Sequence, residues 1–247
     1  MVLKIVFVRH GESKLNSENR FCGWIDSSLS RLGEAQARTA AKNILSKKLK
    51  FDIAYSSVLK RSIDTSNIVL RKLNFKIPIV LDWRLNERCY GKLEGLNKKE
   101  ASKIFGEKQV KLWRRGYSNR PPAFTKNDKL YLEMIKKYNY LKKQEIPKSE
   151  SLKDTLERVL PFLKSDIIPQ LKENKNIIIF GHGNSLRAII KYFGKISSSK
   201  INKLELPVGV PIVCELDSNL KIKKHYFLAD KDNINNQLTK ERNQIKI

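Results

Sequence analysis

The sequence predicts an α/β fold with a mostly parallel central sheet and helices on both faces. Three observations carry the prediction. Short apolar runs recur near residues 2–8, 52–55, 77–81 and 176–180; stretches with helical spacing separate them; and glycine turns directly follow the first and last of these runs.

Taken in order, Val2 to Val8 reads as a strand that ends at Arg9-His10-Gly11. After a polar loop through Asp26, Ser30 is placed to cap a helix running to about Ser46, with Ala37, Ala40, Ala41, Ile44 and Leu45 as its apolar stripe. Asp52 to Tyr55 is a second short strand. Ser56 or Ser57 then opens a helix containing Leu59, Ile63, Ile68 and Leu70, and Ile77 to Leu81 forms a third strand. From about Asn97 to Ser149 the alternation stops. This stretch is rich in charge and aromatics, carries Pro121-Pro122, and reads as a partly helical insertion near the ligand site. Ser149 and Ser151 precede a helix with Leu152, Leu156, Val159 and Leu160. Asn176 to Phe180 is a strand running into Gly181-His182-Gly183, and Val210–Leu216 with Ile222–Leu228 form a strand pair across the Asp217-Ser218-Asn219 turn. The segment from Asp230 to Ile247 is polar and expected to be mobile without ligand. No internal repeat is present, so residues 1–247 read as one catalytic domain.

In such a sheet, ligands bind beyond the carboxyl ends of the strands, where both His10 and His182 fall. A lone histidine is more often a core residue satisfied by backbone groups. Two strand-terminal histidines flanked by glycine, one preceded by Arg9, instead suggest one shared pocket for a phosphate. Neutral imidazole is a good nucleophile near neutral pH, and a neighbouring arginine neutralises charge on the transferring phosphoryl oxygens. His10 is the candidate nucleophile. His182 is a candidate donor to the same phosphoryl group, provided its surroundings keep it protonated when phosphate is bound.

Composition sets the outer bounds. The net charge of +25 raises the question of nucleic acid, but the lysines are scattered along the chain with no dense basic tail, RNP-like motif or finger spacing, which argues against a specific nucleic-acid partner. No apolar run approaches the roughly 20 residues of a bilayer span and no secretory leader is evident, so no membrane association and a cytoplasmic location are expected. Cys22, Cys89 and Cys214 are widely separated, with no C-x-x-C pair. Neither a disulfide framework nor a metal site is indicated.

Four blocks, with Trp113-Arg114-Arg115, resemble cofactor-dependent phosphoglycerate mutases of the histidine phosphatase superfamily. They are Arg9-His10-Gly11-Glu12-Ser13 with Asn16 and Phe21-Cys22-Gly23-Trp24; Ser57-Val58-Leu59-Lys60-Arg61; Trp83 to Gly91 continuing through Gly95-Leu96-Asn97-Lys98; and Gly181 to Arg187. The short Arg-His-Gly motif is a superfamily mark, whereas the long central block and Trp-Arg-Arg are similar to the mutase branch. The resemblance covers nearly the whole chain and implies that branch's fold.

It also implies roles. His10 would accept a phosphoryl group from 2,3-bisphosphoglycerate, the priming cofactor, with Arg9, Arg61 and His182 around that group, aided by Asn16 and backbone N–H groups near Gly183. Glu87 would act as general acid and base; by residue type alone, an ion pair with Arg88 or Arg84 is the competing reading. Tyr90, Lys98, Arg114, Arg115 and Asn184 would hold the rest of a phosphoglycerate, with Cys22 and Gly23 approaching it where bulk is excluded. The alternative for Arg114 and Arg115 is a solvated basic face. No metal is needed on this route, and a homo-oligomer, dimer or tetramer, is implied.

The chain departs from the resemblance at Leu15, Cys22, Cys89, Glu94 and Gly181. The expected activity is interconversion of 3-phosphoglycerate and 2-phosphoglycerate. A phosphomonoesterase, in which water relieves His10 of the phosphoryl group, is the first alternative, and a polyanion-binding protein with a decaying site is the second.

Overall fold

A computed structural model describes residues 3–246; Val2 and Ile247, at the outer ends of the expected first strand and tail, lie outside them. In chain order the elements are β1 (Leu3–Arg9), α1 (Lys14–Ser17), α2 (Arg31–Ser46), β2 (Ile53–Ser56), α3 (Lys60–Leu73), β3 (Ile79–Leu81), α4 (Lys98–Phe105), α5 (Glu107–Arg115), α6 (Lys129–Lys137), α7 (Leu152–Phe162), α8 (Ile168–Lys172), β4 (Ile177–Gly181), α9 (Gly183–Gly194), β5 (Pro211–Leu216), β6 (Ile222–Phe227) and α10 (Lys231–Arg242). No helix among the described residues is long and apolar enough to cross a membrane.

The six strands form one sheet in the order β3-β2-β4-β1-β5-β6. Strands β3, β2, β4 and β1 run parallel, while β5 is antiparallel to β1 and β6 antiparallel to β5. The central strands β1 and β4 carry the unbroken apolar runs Ile5–Val8 and Ile177–Phe180 because both faces are covered. Along β1, Ile5 and Phe7 face one core layer and Val6 and Val8 the other. Full burial of each such side chain contributes on the order of 1.5–3 kcal/mol.

Helix α2 starts where its sequence signal placed it, with Ser30 Oγ accepting the Gly33 N–H at 3.0 Å. Its Ala37, Ala40, Ala41 and Ile44 pack with Val69, Leu70 and Leu73 of α3 on one sheet face. The other face is covered by α7 through Val159 and Phe162, by α8 through Leu171, and by α9 through Leu186, Ile189 and Phe193. Ser151 and Asp154 form a reciprocal capping box at the start of α7. Between α7 and α8 the helix widens into a π-turn at Leu163–Ile167.

One sequence expectation needs correction. Helix α3 begins at Lys60 rather than at Ser56 or Ser57, because Ser56 still pairs with Phe180 in the sheet and Ser57 turns its hydroxyl to His182. The polar segment after Asp230, expected to be mobile without ligand, carries α10, capped by the Asp230 carboxylate on Asn233 N–H at 2.7 Å. Its last turn reaches the site described below. His225, on β6, is exposed.

Candidate active site

The parallel register of β1 and β4 sets Arg9 opposite Gly181, so the next residues, His10 and His182, emerge side by side at the carboxyl edge of the sheet. His10 N–H donates to Gly181 O at 3.0 Å, and the two imidazole centroids are 4.9 Å apart. Residues separated by most of the chain become neighbours through one strand pairing.

His10 Nδ1 lies 2.6 Å from Gly11 O. A carbonyl can only accept, so Nδ1 carries the proton and the lone pair sits on Nε2. Arg61 Nε donates to that Nε2 at 3.3 Å. Burial, then the Arg61 and Arg9 guanidinium groups, hold His10 well below the usual imidazole range, so it is neutral at pH 7. A neutral ring with an aimed Nε2 is the state a nucleophile requires.

His182 is buried too, its Nε2 2.7 Å from Ser57 Oγ. Burial, Arg61, His10, Arg158 and Arg9 push it in the same direction. Among protein groups alone it is therefore neutral, so the pocket by itself does not supply the protonated state that the sequence reading required.

Arg61, fully buried on α3, donates through Nη1 to Ile25 O at 2.9 Å and through Nη2 to Gly23 O at 2.8 Å. It therefore fixes the 23–25 loop as well as lining the pocket. Arg9 Nη1 donates to Leu206 O and to Glu241 Oε1, each at 2.6 Å, while its Nε is buried without a partner. A Cβ added at Gly183 would stand 3.5 Å from that Nε, so the α9 N-terminus and Arg9 face each other.

Glu87 makes no ion pair with Arg84 or Arg88 among the described residues; Arg84 pairs with Asp82 instead. Glu87 Oε1 accepts the N–H groups of Arg88 at 2.8 Å and Asn184 at 3.1 Å. Its backbone is held as firmly: Glu87 O accepts Trp24 Nε1 at 2.7 Å and Arg158 Nη2 at 3.2 Å.

Beyond this inner pocket lies a second set of cations. Lys98, at the start of α4, is only 7% exposed, and α5 turns Arg114 and Arg115 toward the same space. Burial, then Arg114, lowers Lys98 to about 7; burial, then Arg115, lowers Arg114 to about 10. Buried Lys98 and half-buried Arg114 and Arg115, the last 3.2 Å from Glu205 Oε1, differ from a fully solvated basic face. Tyr90 OH accepts from Asn184 Nδ2 at 3.0 Å and ties the two cation sets together.

The remaining expected residues are also placed. Asn16 Nδ2 donates to Cys22 Sγ at 3.1 Å, so these two form one wall of the loop after β1. Gly23 has φ +48°, and a Cβ there would stand 1.9 Å from Glu94 Oε1. Bulk is therefore excluded at Gly23 by the fold itself, not only by a ligand. Glu94 is buried beneath that loop and accepts Trp24 N–H at 3.0 Å and Tyr90 N–H at 2.9 Å; burial raises it to about 8 against those hydrogen bonds.

Sequence reasoning missed four contributors. Arg158 and Glu150 form a buried bidentate pair at 2.7 and 2.9 Å, and Arg158 also donates to the carbonyls of Arg84, Asn86 and Glu87. They set the loop that carries Glu87. Their only sequence signal is a charge pair eight residues apart at an α-helix N-terminus, which is common on surfaces. Glu241 and Gln244 carry no motif at all. Glu241 also approaches Arg115 Nη2 at 3.8 Å, and Gln244 Oε1 accepts from Arg114 Nη2 at 2.7 Å and Lys98 Nζ at 3.0 Å.

The sheet, the crossovers and two histidines at adjacent strand ends define the class: an open α/β protein with an anion pocket at its carboxyl edge. The profile of the histidine phosphatase superfamily (branch 1) matches residues 5–134 and 126–223, and the chain belongs to that superfamily. Solved structures agree in fold. A mycobacterial glucosyl-3-phosphoglycerate phosphatase in complex with VO3 is 19% identical, with 91% of this chain and 97% of that one covered at a TM-score of 0.69. Bacillus stearothermophilus YhfR is 22% identical over 87% of this chain and 92% of its own, TM-score 0.65. A putative alpha-ribazole-5'-P phosphatase from Escherichia coli is 17% identical over 87% and 92%, TM-score 0.64.

Proposed function

We propose that this protein is a 2,3-bisphosphoglycerate-dependent phosphoglycerate mutase working through a phosphohistidine at His10. The observation that supports the reading best is the second cation set beside the histidine pocket, buried Lys98 with half-buried Arg114 and Arg115. A phosphatase needs to hold one phosphoryl group, whereas a mutase has to retain a second anionic group while the phosphoryl is exchanged.

In this reading His10 Nε2 attacks phosphorus and the bond from phosphorus to the departing alkoxide oxygen breaks. Arg61 shifts from Nε2 to the phosphoryl oxygens, and Arg9 Nε, His182 and the N–H groups at the start of α9 balance their charge. Glu87 gives a proton to the departing oxygen and takes one from the hydroxyl that later accepts the phosphoryl. The bisphosphate supplies the first phosphoryl to His10. Lys98, Arg114 and Arg115 are suited to its distal group, because Lys98 and Arg114 converge on a single side-chain oxygen, Gln244 Oε1.

A second reading is hydrolysis, suggested by the phosphatase names of the structural neighbours, one of them directed at a glucosyl-phosphoglycerate. One experiment separates the two. Conversion of 3-phosphoglycerate to 2-phosphoglycerate is measured with and without catalytic 2,3-bisphosphoglycerate, beside phosphate release, in wild type and His10→Ala. Bisphosphate-dependent turnover that disappears in the variant is expected; phosphate release without isomerisation would reject the mutase reading.

A further inference from the structure

Of the distal cations Lys98 is buried and Arg114 and Arg115 are half-buried, and part of what covers them is the chain's own C-terminal segment. Glu241 is the one fully buried residue of α10, with Ile234 and Leu238 half-buried. Three contacts after that point hold it. Ile245 packs into an apolar pocket with Phe21, Leu93, Ala101, Val110 and Trp113; Asn19 Nδ2 donates to Gln244 O at 2.8 Å; and the Gln244 side chain lies between Lys98 and Arg114. Glu241 spans Arg9 and Arg115. A cavity of about 970 Å³, bordered by Arg114, Arg115, Glu205, Glu241 and Ile245, opens beside the segment and gives it room to move.

The chemistry at Gln244 is unbalanced. One neutral amide oxygen receives donors from buried Lys98 and half-buried Arg114 and cancels the charge of neither. An ionised carboxylate or phosphate oxygen at the same point would bind both more strongly. The inner pocket is different, because Glu241 engages Arg9 only through Nη1 and leaves Nε free beside Gly183. A lone phosphate can therefore enter without disturbing the segment, whereas a ligand with a second anionic group cannot.

We infer that Gln244 and Glu241 are specificity-determining residues: they occupy the distal half of the site with the chain's own oxygens, and a substrate's second anionic group binds by displacing them. The inference rests on the distal set being where that second group binds, as in the function proposed above. The protein thereby weighs ligands by what lies beyond the phosphate. Each two-anion ligand competes with an internal group, and each one-anion ligand does not.

Hydrogen exchange of residues 231–246 and calorimetric affinities test this, using inorganic phosphate and 3-phosphoglycerate as probes. Exchange is expected to quicken with 3-phosphoglycerate and stay unchanged with phosphate. Gln244→Ala should bind 3-phosphoglycerate roughly five- to tenfold more tightly, as expected for releasing hydrogen bonds to charged groups, with phosphate affinity changed less than about twofold. Ile245→Ser, which removes the apolar anchor and touches no cation, should act in the same direction. Slower exchange with 3-phosphoglycerate, or weaker binding of it in both variants, would mean that the segment closes over ligand and would overturn the inference. Because binding is read without turnover, displacement in the absence of mutase activity would reject the proposed function and keep this inference.

Discussion

The inner histidine pocket and the distal cation set are both cationic, yet they are held in different ways. Arg61 spends two of its donors on the carbonyls of Gly23 and Ile25, and His10 is oriented by Gly11 O. Lys98 and Arg114 instead meet a side-chain oxygen from the chain's far end. The inner groups are fixed by backbone at the ends of sheet strands and by a buried helix. The outer ones are matched by a segment that can be exchanged for a ligand. Preorganisation serves the reacting phosphorus, where displacement of a donor by even 1 Å is costly, and an exchangeable contact serves recognition.

That contrast can be broken most severely at Arg61. Arg61→Met removes both the charge beside His10 and the two ties to the 23–25 loop, and kcat is expected to fall by about three orders of magnitude. Steady-state kinetics with 3-phosphoglycerate check it; a loss confined to KM would mean that Arg61 does no more than bind substrate.

Next is the support behind Glu87. Glu150→Gln leaves Arg158 buried without its carboxylate, which costs about 3–5 kcal/mol for a pair of this kind. Urea denaturation reads the stability. Because Arg158 also holds the Glu87 carbonyl, kcat should fall while phosphate affinity, governed by the histidine pocket, stays within about twofold. Equal loss of both would reduce the pair to a purely structural role.

The distal set should reveal itself through pH. Lys98 has a pKa of about 7, below its ordinary value, so it is charged below pH 7 and neutral above. A bound anion favours the charged form and raises that pKa. Below 7 no proton need be taken up on binding; above 7 one must be, and affinity for 3-phosphoglycerate falls as pH rises, by up to about tenfold per unit. Lys98→Met should weaken binding at pH 6 and flatten the profile between pH 7 and 8.5. A slope that persists in the variant would place the titration elsewhere.

The smallest effect is expected at Cys22. Its thiol accepts from Asn16 Nδ2 and lies 3.6 Å from Ser13 Oγ, contacts a threonine hydroxyl can make as well or better. Cys22→Thr should change kcat/KM by less than about threefold, with no loss. A large decrease would give the thiol a role of its own.

The fold was legible where local signals and burial agreed. Ser30 with the alanine stripe of α2, Ser151 with Asp154 at α7, and the apolar runs of β1 and β4 each specify their element by short-range physics. The start of α3 was misplaced because Ser56 and Ser57 resemble caps; which hydroxyl faces a helix and which faces His182 depends on a strand pairing more than a hundred residues away. Glu94, a departure in the sequence, turns out to sit under Gly23 and to dictate that glycine.

The sequence by itself marked the residues that carry the resemblance: His10 with Arg9, His182 with its glycines, Glu87, and the cations of the insertion. These are strings of neighbouring residues whose chemistry is visible without coordinates. Tertiary structure alone decided the rest. The β1–β4 register set the two histidines side by side, Arg158 and Glu150 fixed the loop of Glu87, and the end of α10 with the turn after it set Glu241 and Gln244 against four cations. Such contacts join residues far apart in the chain and use side chains of ordinary type. Their meaning comes from burial and proximity, which a linear string does not carry.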